Sequence, residues 1–270
     1  MIALADGDFA YVAALLRRRA GLCLDASKSY LVESRLQQLS PALGFPTLGG
    51  LMTRLRTGPE DGVHTRVVEA MLVHETLFFR DISLFEALRH HVLPELIARR
   101  KLVRIWSAAC SRGQEPYSVA MLIADEFPAA VGQVRIVASD FSSDAIADCR
   151  EASYSQLEVN RGLPARLLVK HFGRDGARWR LHENIRRMVE LRTINLIGDW
   201  PPLWDVDVIL LRNVLIYFDV ETKRAILRRM RERLGPQGIV FLGGAETAVG
   251  LDEGYEQIPI GRTFGYRRRA

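Results

Sequence analysis

A chain of 270 residues, 48% apolar and 26% charged, has ordinary globular composition, which excludes a disordered or low-complexity protein. Its three cysteines (Cys23, Cys110, Cys149) stand far apart with no C-x-x-C pair, excluding a disulfide scaffold and a cysteine-rich zinc module. The net charge of +5 suits an acidic partner without naming one. No run approaches ~18 apolar residues, and the start lacks a basic stretch followed by an apolar core, so a cytoplasmic protein without a membrane span is expected.

Residues 1–72 read as a small all-helical domain. Phe9, Val12 and Leu16 share a helical face, as do Val32, Leu36 and Leu39, then Leu48, Leu51, Met52 and Leu55, then Val63, Val67 and Met71. Pro41, Pro46, Gly49, Gly50, Gly58 and Pro59 punctuate these segments. Residues 73–101 predict a connecting helix through Ile82, Phe85, Leu88, Val92 and Leu96, kinked or divided at Pro94.

From 102 to 270 the pattern alternates. The β-rich runs 102–107, 133–140, 187–195, 205–213 and 238–244 are separated by helical segments at 116–127, 142–151 and 219–234. Nearly all-apolar strands alternating with helices predict a mostly parallel sheet covered on both faces, an α/β fold. Asp219 suits a helix N-cap and Gly235-Pro236 a stop, while the tail fits a closing antiparallel pair of strands. The stretch 152–186 is the least regular, with turn signals at Gly173 and Asp175-Gly176 that predict a small β excursion over about 170–186.

Ligands of an open α/β sheet sit at the carboxyl ends of its strands. Four such ends carry unusual residues. WSAACSRGQEPY (106–117) is a strand leading through small residues and Gly113 into a helix, with the carboxylate of Glu115 beside it. That carboxylate disfavours a diphosphate and favours a ligand bearing an amino group or a sulfonium. Asp140 ends the next strand, where an acid commonly accepts both ribose hydroxyls of an adenosine. Asn195 and Leu196 end a third strand and suit an adenine edge or a backbone-like portion of the ligand, and Asn195 equally suits a plain turn. Arg212 and Asn213 interrupt a fully apolar run, where buried polar groups are costly unless partnered, with Tyr217 expected to point back to the same pocket. Ahead of the sheet, VHETLFFRD (73–81) fits either a core segment through Phe78 and Phe79 or a lid bringing Thr76 and Arg80 to the ligand.

HETLFFRD, RIWSAACSRGQEPYS, VASD, TINL and LLRNVLIYFD, in this order and spacing, resemble the chemotaxis receptor methyltransferase (CheR-type) family across essentially the whole chain. The resemblance implies a Rossmann-like class I methyltransferase sheet binding S-adenosyl-L-methionine, with S-adenosyl-L-homocysteine as product. It implies an enzyme that methylates glutamate side chains of chemoreceptors for sensory adaptation. It carries cofactor-binding roles onto His74, Thr76, Arg80, Glu115, Asp140, Asn195, Leu196, Arg212 and Asn213, and puts Tyr217 near the transfer site. His74 departs from the asparagine usual there. The short excursion near Gly173–Arg178 is similar to members that work without a receptor's C-terminal peptide tether.

A glutamate carboxylate is already ionised at neutral pH, so orientation and water exclusion matter more than a strong base. Arg80 and Tyr217 are therefore the catalytic candidates, holding a carboxylate. The histidines show no metal-ligand spacing, so no metal is expected. Between residues 11 and 56, Arg17, Arg18, Arg19, Lys28, Arg35, Arg54 and Arg56 face only Asp25 and Glu33, predicting basic helices that attract an acidic receptor bundle. The chain is expected to act as a monomer. Competing readings are a methyltransferase for another acceptor, a small molecule or RNA, and a cofactor-binding sensor without turnover. Arg212-Asn213-Val214-Leu215, where amine methylation of nucleic acid favours [DN]-P-P-[YF], argues against nucleic acid.

Overall fold

The structure, a computed structural model, describes residues 5–202 and 205–269. The chain divides into two compact units, one formed by residues up to Val73 with Tyr217–Thr222, the other by His74–Ile216 with the residues from Lys223 onward.

The first unit holds four helices: α1 (Asp6–Ala20), α2 (Ser29–Ala42), α3 (Leu48–Thr57) and α4 (Gly62–Met71). Their ends follow the sequence closely. Gly21, left-handed at φ 72°, caps α1 by donating its N–H to Arg17 O, and Asp61 with His64 forms a capping box on α4. Pro41 does not stop α2 but sits in its last turn, and Gly49 and Gly50 do not break the chain but form the first turn of α3, capped by Thr47. Val12, Leu16, Val32, Leu36, Leu51, Leu55 and Val67 are almost fully buried, as the helical spacing predicts. The later segment completes this unit: Leu22 bridges Phe218, and Cys23 N donates to Tyr217 O at 2.9 Å.

The basic balance of these helices is largely compensated. Arg17 pairs with Asp219 at 2.7 Å, Arg18 and Arg19 with Glu60, Arg54 with Asp61, and Arg56 with Asp8 at 2.6 Å. Arg35 donates to the carbonyls of Ala70 and Leu72. Counting charges between residues 11 and 56 missed these acids because they reach the face from outside that window. The expected free basic face is thus a set of surface ion pairs, individually weak and screened by salt.

The second unit opens with α5 (Ile82–Ala87), a wide π-type turn at Leu88–Val92, and α6 (Leu93–Arg99). Pro94 lies in the first turn of α6, and Leu93 N–H reaches back five residues to Leu88 O. That widening accommodates the missing proline N–H, so the chain divides there without leaving helical backbone. These helices do not merely connect: Leu84, Leu88, Leu93 and Leu96 share one buried core with Val103 and Ile105 of the sheet.

Next come β1 (Val103–Ala108), α7 (Gln114–Glu126), β2 (Val134–Asp140), α8 (Ser143–Glu151), β3 (Ser153–Ser155), α9 (Gln156–Asn160), α10 (Ala165–His171), β4 (Phe172–Asp175) and β5 (Arg178–Leu181). They are followed by α11 (Glu183–Arg186), β6 (Val189–Thr193), β7 (Val206–Leu211), α12 (Val220–Arg233), β8 (Leu234–Leu242), β9 (Tyr255–Ile260) and β10 (Thr263–Arg268). The main sheet has the order β6-β2-β1-β7-β8-β10-β9, parallel through β8 and closed by the antiparallel pair β9–β10. This is the expected Rossmann-like class I arrangement, including the antiparallel tail.

Two details differ from expectation. β8 begins directly after α12, because Leu234 already pairs with Val206; Gly235 and Pro236 then fall in an irregularity before Ile239 pairs with Val208. A proline in a strand is tolerated at such a bulge. The excursion is also more ordered than its composition suggests. β3, β5 and β4 form a three-stranded antiparallel sheet, with Phe172 and Tyr154 packed edge-on against Phe78 at 5.8 and 4.9 Å between centroids. Among the described residues, no helix is long and apolar enough to cross a membrane.

His171, at the end of α10, is buried and its Nε2 has no partner. Burial pushes its imidazole below the ordinary value, with Lys170, His182 and Arg166 adding to this and Asp125 opposing it. The unfolded chain therefore takes up this proton first, near pH ~6.5. Stability present above that pH is expected to fall as the pH drops toward the depressed folded value. Urea denaturation at pH 7.5 and 5.5 checks this: His171→Leu should flatten part of the wild-type loss.

Candidate functional site

Register brings the four strand ends together. Ala108 of β1 pairs with Ser139 of β2 and with Leu211 of β7, while Asp140 pairs with Thr193 of β6. The loops that begin at residues 109, 141, 194 and 212 therefore leave one edge of the sheet. The sheet order reverses between β1 and β7, where open α/β sheets bind ligands.

The loop after β1 is held by Asp140. Its Oδ2 accepts from Ser111 N at 2.8 Å and its Oδ1 from Ser142 N at 3.0 Å, while Cys110 N donates to Ser139 O at 2.8 Å. Ala109 and Ser111 both adopt left-handed backbone, φ 59° and 52°. Such strain persists only where the surroundings impose it, and it gathers at functional sites. Asp140 is 7% exposed. Burial raises its carboxyl pKa; the backbone N–H groups of Ser142 and Ser111, the charge of His74 and the N–H of Phe141 oppose that rise. The two bonds above leave acceptor capacity on both oxygens.

Gly113 does more than clear space for a ligand. At φ 93°, a Cβ there would lie 2.4 Å from Cys149 Sγ and 2.9 Å from the Tyr117 ring, so the glycine is required for close packing of the loop on α8. The same packing brings the Cys110 and Cys149 thiols into hydrogen-bond contact, although the sequence separates them widely. That contact, with burial, pushes the Cys110 thiol pKa up.

Arg212 and Glu115 form the center of the opposite wall. Glu115 Oε2 accepts from Arg212 Nη1 at 2.6 Å and its Oε1 from Ser107 Oγ at 2.7 Å. Arg212 Nη2 also donates to Arg80 O at 3.0 Å and to the Asp81 carboxylate. Arg212 and Glu115 are 6% and 8% exposed. The polar residue in the apolar run thus finds its partner in the carboxylate read from another loop. Glu115 is already neutralised by Arg212, so its charge alone does not select a cationic ligand. Asp81 restores the preference, because two carboxylates face one guanidinium.

The segment after the first unit is pinned rather than loose. Ser111 Oγ donates to His74 O at 3.0 Å, Phe79 N to Ser118 Oγ at 2.9 Å, and Arg212 to Arg80 O. Phe78 is fully buried, worth about 2–3 kcal/mol. Phe79 and Asp81 carry positive φ, 50° and 65°. The segment is therefore core at Phe78 and part of the site wall at its ends. Thr76 is half-buried within it, and the Arg80 guanidinium turns back to Glu75 O at 3.4 Å on the exposed side.

Asn195 Oδ1 accepts from Ile197 N at 3.2 Å, shaping the turn after β6, and Leu196 O accepts from Arg229 and from Trp200 Nε1. Asn213, at φ 57°, is placed by a residue that sequence reasoning missed. Glu246 Oε2 accepts from Asn213 N at 2.8 Å and Gly243 N at 2.7 Å, and its Oε1 from Ile216 N at 3.3 Å. A lone carboxylate in GGAET gives no sequence signal, because its donors are backbone groups, two of them from the segment after β7. Glu246→Ala leaves three N–H groups without this acceptor. It is expected to destabilise the chain by about 1–3 kcal/mol and to weaken cofactor binding through Asn213. Urea melts and calorimetric titration with S-adenosyl-L-homocysteine check both effects.

The structure therefore brings His74, Glu115, Asp140, Asn195, Leu196, Arg212 and Asn213 to the strand ends or the loops leaving them. Tyr217 belongs to the segment of the first unit, where its carbonyl accepts from Cys23. The fit to S-adenosyl-L-methionine rests on polar capacity left open: Asp140 for a diol, the excess carboxylate beside Arg212 for a cationic center, and His74 Nε2, buried without a partner. Gln114 Oε1 is likewise buried and unpartnered.

Comparison with known proteins agrees. The family description "CheR methyltransferase, SAM binding domain" matches residues 74–264, and "CheR methyltransferase, all-alpha domain" matches residues 7–72. The chain is 40% identical to chemotaxis protein methyltransferase Cher2 of Pseudomonas putida, over 93% of this chain and 94% of that one. It is also 40% identical to chemotaxis protein methyltransferase 1 of Pseudomonas aeruginosa, over 98% of this chain and 99% of that one. The chain belongs to the CheR methyltransferase family and is an S-adenosyl-L-methionine-binding methyltransferase.

Proposed function

We propose that this enzyme acts in the cytoplasm as a monomer, transferring a methyl group from S-adenosyl-L-methionine to glutamate side-chain carboxylates of chemoreceptors. The observation that carries the reading is the pair of acidic anchors at the strand ends, Asp140 on one side and Glu115–Arg212–Asp81 on the other. Asp140 suits a ribose, and the second cluster, with its excess of one carboxylate, suits an amino or sulfonium group. Similarity to proteins named chemotaxis protein methyltransferases supplies the acceptor class.

When bound, the cofactor supplies a methyl group on a sulfonium. Asp140 would accept the ribose hydroxyls, Asn195 and Leu196 would meet the adenine edge, and His74, Thr76, Glu115, Arg212 and Asn213 would hold the amino-acid end. Arg80 and Tyr217 hold the carboxylates, a role that rests on the family resemblance. The acceptor is already an anion, so neither has to remove a proton; their work is alignment for in-line displacement.

The receptor's helical bundle docks on the basic N-terminal helices. Arg17 and Arg18 keep 69% and 55% of their side-chain surface exposed, and exposed ion pairs exchange partners at little cost. The β4–β5 hairpin turns within Asp175–Arg178, a short connection that supports tether-independent action. Mass-spectrometric mapping of a chemoreceptor's cytoplasmic fragment after incubation with enzyme and cofactor tests the reading. Glutamyl peptides should gain the mass of one CH2. Arg80→Ala and Tyr217→Phe should each lower turnover at least tenfold. Full turnover in both variants contradicts the assigned roles, and methylation confined to other residue types contradicts the function.

A further inference from the structure

Away from the strand ends proposed to carry the cofactor, a cavity opens in the same unit. It lies between the π-type turn with α6 and the sheet face formed by β8, β9 and β10, and its volume is about 410 Å³. This is within the range of small-molecule pockets, which are mostly apolar with a few placed polar groups. Its apolar wall includes Leu96, Ile239 and Ile258; its polar wall includes His91, Gln237 and Arg267.

Arg267 is the informative residue. It stands opposite Ile239 in the β8–β10 ladder, and its Nε is buried with no hydrogen-bond acceptor. A buried donor left unpaired is costly, and native structures rarely tolerate one without reason. The nearby acids do not supply the acceptor. Glu95 on the rim is paired with Arg99 at 2.7 Å, and among the described residues Arg267 Nε finds no acceptor, Glu256 opposite it in β9 included. The widened turn adds a second donor, because His91 lines the cavity, and π-type turns are frequent at functional sites. At the mouth, Gly261 has φ 58°, and a Cβ there would lie 3.2 Å from His91 Nε2.

We propose that this cavity binds a small amphipathic carboxylate, its head on Arg267 and His91 and its hydrocarbon body along Leu96, Ile239 and Ile258. The arrangement selects a negative head, because its free donors are a guanidinium, an imidazole and the Gln237 amide while its one acid is already paired. The inference does not depend on the methyl acceptor.

The test is calorimetric titration of octanoate into the full chain, with octylammonium of the same tail length as the comparison. Octanoate should bind with Kd at or below about 1 mM, and octylammonium at least tenfold more weakly. Arg267→Gln should weaken octanoate at least tenfold, and Ile258→Glu, which puts a carboxylate into the apolar wall, should do the same. In the wild-type chain octanoate should shift the His91 ring resonances in NMR spectra, a readout that needs no variant. Equal binding of the two tails, wild-type affinity in a folded Arg267→Gln chain, or an unmoved His91 ring at saturating octanoate would each overturn the proposal.

Discussion

Arg212→Leu is expected to abolish cofactor binding and to cost the fold about 3–5 kcal/mol, the penalty for removing one partner of a buried ion pair. Glu115 is left buried with only Ser107, and Arg80 O and Asp81 lose their donor. The loss reaches the segment 74–81 as well, since Arg212 is one of the bonds that pins it. Urea denaturation measures the stability, and titration with S-adenosyl-L-homocysteine measures the binding. The double variant Glu115→Leu with Arg212→Leu separates the two effects. Removing both charges should recover much of the stability, while binding stays lost. Recovered binding in the double variant would mean that the cluster only supports the fold.

Asp140→Asn makes the second large effect, on binding more than on folding. The amide keeps the shape but turns a donor toward either Ser111 N or Ser142 N, and it loses the charge that strengthens hydrogen bonds from ribose hydroxyls. With about 1.5–3 kcal/mol for each charged bond, affinity should fall about a hundredfold. The wild-type pH profile follows from the raised carboxyl pKa of Asp140, caused first by burial and opposed by the N–H groups of Ser142 and Ser111. The ionised form accepts more strongly than the neutral form, which keeps acceptor capacity but loses its charge. Affinity should therefore be full above the raised value and should decline as the pH falls through it, starting higher than for an exposed aspartate. Asp140→Asn should lack this step.

The parallel sheet was legible because its strands are apolar runs set between helical segments, and the N-terminal helices because their buried residues repeat at helical spacing. Asp140, Glu115 and Arg212 stood out as polar residues at the ends of such runs. Their contacts were not legible, since the Glu115–Arg212 pair joins residues in different loops and depends on the β1–β7 register. Glu246 stayed hidden for a related reason: it serves backbone N–H groups, which have no side-chain signature. The charge count over the first helices left out their ion-pair partners, because Asp8, Glu60, Asp61 and Asp219 lie outside the counted window. The packing role of Gly113 was not legible, because Cys149, from a distant part of the chain, occupies the space beside it.

The central claim is transfer of a methyl group to a carboxylate. Its most direct test incubates the chain with chemoreceptor membranes and cofactor labelled on the methyl group, then treats the receptor band with base. A carboxyl methyl ester releases its label as methanol, and Arg80→Ala should reduce the released amount at least tenfold. Label that survives base, as amine or amide methyl groups do, or tight cofactor binding with no transfer to receptor, would contradict the account.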